Sequence, residues 1–326
     1  MSHRMTRKVL ITGGAGFLGS HFTEASLNRG WDVTVVDNYS TCLPDNLQKL
    51  ESHKHLHKIY ADICEPLPNE LSDASFDLIV NLASPASPPR YQQLAEETLR
   101  VGTVGVMNMV GLARKHNAQL FHASTSEVYG DPLPAFHPQP ESYWGNVNSY
   151  GERSCYDESK RAAEAILWTA RHPHASSNLS SVDTNIVRIF NTYGPHMDPE
   201  DGRVVSNFIM QALRGDDITI YGTGEQTRSF CYVDDLIRGF MKVIDKNIEG
   251  PINLGNPTEY TMNELAQKIV VLTDSRSKIV YRPLPGDDPT QRRPDIAKAK
   301  SVLDWTPEIS LEDGLKRTIA YFSAFV

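Results

Sequence analysis

The sequence predicts an α/β fold, a doubly wound parallel sheet followed by a smaller C-terminal α/β domain. A short apolar run at residues 8–12 leads into a glycine-rich turn and then into a helical pattern. Apolar runs and helical patterns continue to alternate up to residue 190, as expected for a parallel sheet covered by helices on both faces. After residue 190, loops rich in proline and glycine separate shorter elements. This change of pattern indicates a second domain.

Each predicted strand of the first half is a run rich in apolar and β-branched residues. The predicted strands cover residues 8–12, 32–36, 58–61, 76–80, 118–122 and 185–190. Helical patterns lie between them, including residues 92–116 and a helix that carries Tyr156 and ends near His172. Ligands bind at the carboxyl ends of parallel strands, so the chain near residues 12, 37, 62, 84 and 124 is expected to face one crevice.

The second half predicts shorter elements. We expect helices at 204–213 and 234–244, strands at 218–221, 228–233 and 252–255, and capped helices after Thr261 and Ser310. The strand at 252–255 is expected to rejoin the main sheet. Residues 1–190 and 229–255 would then form the larger domain. Residues 191–228 and 256–326 would form the smaller domain over the crevice.

Composition excludes several classes of protein. The 326 residues carry a net charge of −8 without a long basic run, which argues against a nucleic-acid surface. The short polar leader and the lack of a long apolar run argue against a secretory signal and against membrane insertion. The four cysteines form no C-x-x-C pair, and reduced thiols in a cytoplasmic protein fit them best.

The N-terminal strand, turn and helix predict a dinucleotide site. Gly13, Gly16 and Gly19 let the backbone approach a pyrophosphate at a helix N-terminus, as in a Rossmann domain. Asp37 follows the second strand, eighteen residues after Gly19, where a carboxylate accepts hydrogen bonds from ribose hydroxyls. Such an acid repels a 2′-phosphate, so NAD is favoured over NADP. The alternative is an ordinary glycine turn beside a surface aspartate.

A second constellation lies at residues 121–160. Tyr156 and Lys160 are four residues apart, which places both side chains on one face of a helix. An ammonium beside a phenol favours the phenolate, so we expect a lowered Tyr156 pKa and a tyrosine that removes a proton from a sugar hydroxyl. The alternative is a common pairing on a solvated helix.

Histidines 53, 55 and 57 have spacing compatible with metal ligands on a strand, but a solvated loop is the simpler interpretation. No metal site is predicted.

These residues resemble the extended short-chain dehydrogenase/reductase family of nucleotide-sugar enzymes. The family-wide signals are Gly13-x-x-Gly16-x-x-Gly19 and Tyr156-x-x-x-Lys160. Further segments resemble the branch that decarboxylates UDP-glucuronate, namely residues 82–89, 124–131, 143–145, 155–158, 201–208, 226–228 and 292–295. The resemblance implies NAD as cofactor, a UDP-sugar as substrate, UDP-xylose as product, and a homodimer paired through helices near 92–116 and 150–172.

The resemblance also implies residue roles. Tyr156, assisted by Lys160, would remove the proton from the carbon-4 hydroxyl, and Thr125 would hydrogen-bond near that oxygen. Glu127 would orient the sugar or a water for protonation at carbon 5, and Arg292 would face the sugar carboxylate. The implied cofactor contacts are Gly13, Gly16, Phe17, Leu18, Gly19, Asp37, Asn38, Asp62, Ile63, Leu82, Ala83, Ser84, Thr103, Ala123, Tyr156 and Lys160. The implied substrate contacts are Ser87, Asn191, Arg203, Asn207, Tyr221, Arg228 and Arg292. Taken one at a time, these arginines could equally be solvated or paired at the surface.

Other functions stay open at this point. Ser126 stands where the 4,6-dehydratases of the family carry an aspartic acid, and a serine is too weak an acid to replace it. A UDP-glucuronate 4-epimerase, a decarboxylase that releases the 4-keto-pentose with NADH, and a non-catalytic NAD-sensing protein are the alternatives. The chain departs from the family pattern at Gly102, at Cys42-Leu43 and at Asn81.

Overall fold

The computed structural model describes residues 6–283 and 292–326. The strands in chain order are β1 (Lys8–Thr12), β2 (Asp32–Asp37), β3 (Leu56–Tyr60), β4 (Leu78–Asn81), β5 (Gln119–Thr125), β6 (Thr184–Ile189), β7 (Thr192–Tyr193), β8 (Ile218–Tyr221), β9 (Thr227–Ser229), β10 (Cys231–Tyr232), β11 (Pro251–Leu254), β12 (Glu259–Thr261) and β13 (Ile279–Arg282).

The helices are α1 (Phe17–Asn28), α2 (Asn69–Ser72), α3 (Pro88–Gln93), α4 (Ala95–Arg100), α5 (Val106–His116), α6 (Ser154–Arg171), α7 (Val204–Arg214), α8 (Val233–Lys246), α9 (Met262–Thr273), α10 (Ala297–Leu303) and α11 (Leu311–Phe322). A π-helical turn, Val101–Gly105, joins α4 to α5. Among these described helices, none is long and apolar enough to cross a membrane.

The main sheet has seven parallel strands in the order β11-β6-β5-β4-β1-β2-β3. This order confirms the predicted doubly wound sheet, and β11 confirms that the chain returns to it after residue 250. From β1, the chain adds β2 and β3 on one side and then β4, β5, β6 and β11 on the other. The carboxyl ends of β1 and β4, where this order reverses, therefore open the crevice in which such sheets bind ligands.

Two apolar layers hold helices on both faces of the sheet. In β1, Val9 and Ile11 face one layer and Leu10 faces the other, because successive side chains of a strand alternate. The first layer includes Phe22 of α1 and Phe240 of α8. The second layer packs the sheet against the central parts of α5 and α6. Because helices cover both faces of the sheet, the side chains on both sides of its central strands are buried, and the sequences of these strands are nearly continuous apolar runs.

The C-terminal part adds three two-stranded sheets, β7 with β10, β8 with β13, and β9 with β12. The expected capping box is present at Thr261 and Glu264, and Ser310 caps α11 by accepting from the Asp313 amide. The predicted strand at 228–233 is divided at Phe230 into β9 and β10. The predicted helix at 92–116 is interrupted at Leu94, where the backbone leaves the helical region. Other predicted boundaries differ by one to three residues.

The three spaced histidines lie around β3. His55 and His57 approach Asp32 at 3.5 and 3.2 Å between ring nitrogen and carboxylate oxygen. Within residues 6–283 and 292–326, no group of three or more potential metal ligands is assembled.

Candidate active site

The glycine turn between β1 and α1 packs too closely for side chains. A Cβ at Gly13 would lie 2.7 Å from backbone atoms of Ala83, and a Cβ at Gly19 would lie 2.0 Å from the Gly13 carbonyl oxygen. Gly13 also has a φ of +68°, in the left-handed region. These two positions therefore require glycine, one for the turn and one for the contact between helix and strand.

The N-terminus of α1 is left available to an anion. Gly16 caps it without a side-chain hydrogen bond, and α1 has no acidic residue in its first turn. The free N–H groups and the helix dipole at such an end favour a phosphate. The turn thus fits the pyrophosphate of a dinucleotide.

Asp37 closes the next part of the cleft. Its carboxylate accepts hydrogen bonds from the Ala15 amide at 2.9 Å and from the Tyr39 amide at 2.8 Å. Burial raises the Asp37 pKa, while these amides oppose the increase. At the end of β3, Asp62 accepts from the Asn38 side chain at 3.1 Å and from the Cys64 amide at 2.8 Å. The two carboxylates are held in place beside the predicted adenosine end.

A cleft of about 1430 Å³, open to solvent, runs along these strand ends. The expected cofactor residues that line it are Gly13, Gly16, Phe17, Leu18, Gly19, Asp37, Asn38, Asp62, Ile63, Leu82, Ala83 and Ser84. Four expected residues do not line the cleft. Tyr156 and Lys160 are buried, and the carbonyl of Ala123 accepts a hydrogen bond from Lys160. Thr103 lies on the π-helical turn with its hydroxyl donating to Leu99, and Val101 lines the cleft in its place.

Several cleft residues were not predicted from the sequence. Cys42, Leu43 and Asn46 come from the segment after β2, and Arg90 and Arg100 come from α3 and α4. His196 enters from the loop after β7, and no sequence signal indicated it. The Thr41-Cys42-Leu43 departure could have indicated the segment after β2, because it follows Asp37 directly.

Tyr156 and Lys160 lie together on α6, as predicted. Both are buried, and the Lys160 ammonium lies 5.7 Å from the centre of the Tyr156 ring and donates to the Ala123 carbonyl at 2.9 Å. Burial lowers the Lys160 pKa to about 8, against the opposing effect of Glu164. The strand end at β5 therefore fixes the lysine beside the tyrosine.

The expected lowering of the Tyr156 pKa is wrong. Burial, and after it Glu127, raises the Tyr156 pKa to about 12, while Thr125 and Arg203 act in the opposite direction. The spacing of the two residues was predicted well, but spacing does not reveal burial, and the cost of burying a phenolate dominates here.

Glu127 is the centre of a buried charge cluster. Arg292 holds it with two nitrogens, at 2.6 Å to Oε1 and 2.9 Å to Oε2, and Arg153 donates to Oε2 at 2.5 Å. Burial raises the Glu127 pKa, but Arg292 and Arg153 together more than offset it, so the net shift is downward. Arg292 was expected to face a substrate carboxylate, and here the Glu127 carboxylate occupies its guanidinium.

Two further groups complete the cluster and were missed by the sequence analysis. Tyr91 of α3 stacks on Tyr156 with ring centres 4.9 Å apart, and its buried hydroxyl has no hydrogen-bond partner among residues 6–283 and 292–326. Asp157 lies 3.8 Å from Arg153. Arg153 precedes Tyr156 by three residues, so the helical neighbour rule could have indicated it. Nothing in the sequence links Tyr91 to the site.

The expected substrate residues are more dispersed. Ser87 is buried in the cleft wall, and Arg228 is buried close enough to lower the Glu127 pKa. Arg203 lines the cofactor cleft and pairs with Asp201. Asn207 donates to the Gly202 carbonyl, and the carbonyl of Asn191 accepts from the Cys231 amide. Tyr221 ends β8 and is half exposed.

The arrangement combines a dinucleotide cleft, a buried Tyr–Lys pair and an arginine-held carboxylate. Such a site can oxidise a hydroxyl reversibly and can bind an acidic group beside it.

Comparisons with known proteins identify the family. Residues 9–255 match the NAD dependent epimerase/dehydratase family. The chain is 49% identical over 323 residues to UDP-glucuronic acid decarboxylase 1 of Danio rerio, covering 99% of this chain and 74% of the relative. It is 48% identical over 309 residues to UDP-glucuronic acid decarboxylase 5 of Arabidopsis thaliana, covering 94% and 87%.

Solved structures agree with this result. UDP-glucuronic acid 4-epimerase from Bacillus cereus, in complex with UDP-glucuronic acid and NAD, is 26% identical with a TM-score of 0.86, covering 98% of this chain and all of that chain. UDP-glucose 4-epimerase from Thermotoga maritima is 28% identical with a TM-score of 0.86, covering 98% and 99%. The chain therefore belongs to the NAD dependent epimerase/dehydratase family and, within it, to the UDP-glucuronic acid decarboxylases.

Proposed function

We propose that the protein converts UDP-glucuronate to UDP-xylose and carbon dioxide with a retained NAD. The observation that supports this best is the buried Tyr156–Lys160 pair, whose tyrosine is close enough to feel the charge of Glu127, a carboxylate held by Arg153 and Arg292. Bound NAD would supply reversible oxidation at carbon 4 of the sugar. The glycine turn, Asp37 and Asp62 would hold it.

Tyr156 would take the proton of the carbon-4 hydroxyl and later return it. With Lys160 already beside it, the Tyr156 pKa is about 12, so the proton transfer needs further positive charge nearby. The positive charge of an oxidised nicotinamide ring would add to that of Lys160. Thr125, whose hydrogen bond with Tyr156 favours the phenolate, would orient the same oxygen.

Arg153 and Arg292 would bind the sugar carboxylate. Arg292 and Arg153 are already bound to Glu127, so the substrate carboxylate must compete for the same guanidinium groups. Oxidation at carbon 4 then makes the carboxylate β to a carbonyl, which can accept the electron pair of the breaking bond. Ser126 lies where a dehydratase needs an acid, so elimination of water is disfavoured.

Product analysis tests this proposal. Purified protein and UDP-glucuronate, followed by NMR, should yield UDP-xylose and carbon dioxide without added NAD. UDP-galacturonate would instead establish a 4-epimerase, and accumulated 4-keto-pentose with equal NADH would establish an oxidative decarboxylase. In the same assay Tyr156→Phe should slow sugar oxidation by about 10²–10⁴-fold with little change in UDP binding. The exposed Tyr150→Phe serves as the control.

The division into an NAD-binding part and a nucleotide-sugar-binding part remains our proposal. In it, Asn191, Arg203, Asn207, Tyr221 and Arg228 hold the UDP half of the substrate, and Ser87 contacts the sugar. Arg228 supports this division because its charge already reaches Glu127.

A homodimer is proposed through α4, α5 and α6. Leu99 of α4, Val104 of the π-helical turn and Met107 of α5 are 43, 39 and 56% exposed, and Trp168 of α6 is 63% exposed. Apolar side chains on the outer faces of neighbouring helices favour association. Sedimentation equilibrium of Met107→Glu should show a shift toward monomer, and an unchanged dimer would reject this interface.

A cytoplasmic location is proposed because all four cysteines are free thiols.

A further inference from the structure

The decarboxylation proposed above consumes one proton, and the structure raises the question of which group holds it. After oxidation at carbon 4, the bond between carbons 5 and 6 breaks and its electron pair forms an enolate with the carbon-4 carbonyl. Carbon 6 leaves as neutral carbon dioxide. A new C–H bond at carbon 5 then requires one proton, and the negative charge of the lost carboxylate is cancelled by it.

Most groups around the site cannot spare that proton. Tyr156 must return its own to the carbon-4 oxygen, and the arginines stay charged. Glu127 is held as a carboxylate by Arg153 and Arg292. Tyr91 is a weak acid whose pKa is raised by burial above that of an ordinary phenol.

Asp157 differs from each of these groups. It follows Tyr156 on α6 and is 6% exposed, and Arg153 contacts it at 3.8 Å through Nε while holding Glu127 through Nη2. Its Oδ1 is buried and has no hydrogen-bond partner in the described chain, which is costly for a carboxylate and less so for a carboxylic acid. Arg153 is thus shared by two carboxyl groups, and the better of its contacts goes to Glu127.

We infer that Asp157 stores the proton consumed by decarboxylation and yields it to water in the site, from which carbon 5 takes its proton, because the Arg153 guanidinium has no lone pair with which to pass it on. Asp157 acts through other groups, so it is a positioning and proton-storing residue. With Asp157 protonated, Glu127, Arg153 and Arg292 sum to one positive charge, which matches the incoming sugar carboxylate. When the enolate takes the proton, Asp157 becomes ionised and the total charge of the site is unchanged. Solvent reloads Asp157 after the product leaves.

The charges that face Asp157 support this assignment. Burial and then Glu127 raise the Asp157 pKa to about 7, Arg153 and Arg292 oppose this, and Glu158 adds to it. Tyr91, Cys155 and Tyr156 are the remaining titratable neighbours, and all three are in their neutral forms near neutral pH because their own pKa values are raised. The store would therefore be loaded below about pH 7 and empty above it.

Asp157→Asn tests the inference, which rests on the proposed decarboxylase activity. UDP-xylose formation should fall on the order of 100-fold, the scale of lost general-acid assistance. The KM of Asp157→Asn should equal that of the unaltered enzyme. In a single turnover the sugar should still be oxidised, so reduced cofactor should accumulate. The rate of the unaltered enzyme should decline above about pH 7, and Asp157→Asn should not show this decline. Asp157→Glu, which keeps a carboxyl group, should restore part of the rate. The exposed Glu152→Gln is the matched control.

Each contrary outcome has a separate meaning. An Asp157→Asn enzyme with an unchanged pH profile and unchanged products overturns the proton store. A raised KM with an intact pH profile also overturns it, since Asp157 would then only position Arg153. An unaltered enzyme that forms no UDP-xylose overturns the proposed function instead. If Asp157→Asn does not fold, ¹³C-carboxyl NMR of the unaltered protein decides, because a store requires an aspartate that titrates near pH 7.

Discussion

The cofactor end of the cleft is built from backbone and small side chains, whereas the reacting end is built from charged side chains. At the cofactor end, Gly13 and Gly19 shape the turn, and Asp37 is held by two backbone amides. At the reacting end, Glu127, Arg153 and Arg292 satisfy one another. The shape of the first end comes from contacts within the backbone, and in the proposed function the second end exchanges partners when an acidic sugar enters.

This difference teaches where binding energy is needed. A backbone cradle changes little on binding, so affinity for a dinucleotide depends on keeping its shape. A self-neutralised charge cluster avoids the cost of buried unpaired charges, and an incoming carboxylate must offer an equally good partner. Substitutions at the two ends should therefore fail in different ways.

The largest effect is expected at the reacting end. Arg292→Ala should lower kcat/KM for UDP-glucuronate, with a loss of transition-state stabilisation of roughly 2–5 kcal/mol. The substitution leaves Glu127 buried with one cation fewer, and it removes a partner of the sugar carboxylate. The adjacent Arg293, which is more exposed and pairs with Glu259 at 3.4 Å, provides the control Arg293→Ala. Steady-state kinetics measure both. Equal losses in the two variants, or equal weakening of binding for UDP-glucose, whose sugar has no carboxylate, would argue against a carboxylate site.

A smaller effect is expected at the cofactor end. Gly19→Ala places a methyl group 2.0 Å from the Gly13 carbonyl oxygen, so the turn must shift. We expect NAD affinity to fall by about 1–3 kcal/mol, the scale of a strained close contact. Gly111→Ala on α5 is the matched control, because nothing lies within 4 Å of its added Cβ. Calorimetric titration with NAD compares them, and unchanged affinity in Gly19→Ala would refute a cradle that depends on shape.

The smallest effect is expected for His196, a buried side chain at the otherwise backbone-built cofactor end, and it is an effect on stability. His196 stacks on His21 with ring centres 4.7 Å apart and binds the Ser20 hydroxyl at 2.9 Å. Burial, and after it His21, lowers the His196 pKa to about 4 from 6.5. The unfolded chain then binds more protons between these values, so this stability is complete above about pH 6.5 and is lost as the pH falls toward 4.

His196→Gln should therefore lose less stability on acidification than the unaltered protein. The expected difference is about 1 kcal/mol after allowance for partial solvent exposure. Denaturant unfolding without NAD, at neutral and at mildly acidic pH, measures it, and His174→Gln in an exposed loop is the control. Identical acid sensitivity in His196→Gln and the unaltered protein would show that the stacked pair carries no pH dependence.

Local patterns determined most of the fold and the cofactor end. Strand, glycine turn and helix lie within the residues from Lys8 to Asn28, and Tyr156 and Lys160 are four residues apart on one helix. The capping box at Thr261 is equally local. Such features depend on neighbours along the chain, so one sequence is enough to predict them. Helix interruptions such as Leu94 depend on packing and were not predicted.

Tertiary structure alone decided the chemistry of the reacting end. Arg292 reaches Glu127 across 165 residues of chain, and Tyr91 reaches Tyr156 by stacking, so no sequence spacing indicates either contact. The Tyr156 pKa was predicted to fall and instead rises to about 12. The sequence by itself determined which groups are present and which helical face they share. Burial decided their protonation, because the cost of desolvating a charge depends on everything that the folded chain places around it.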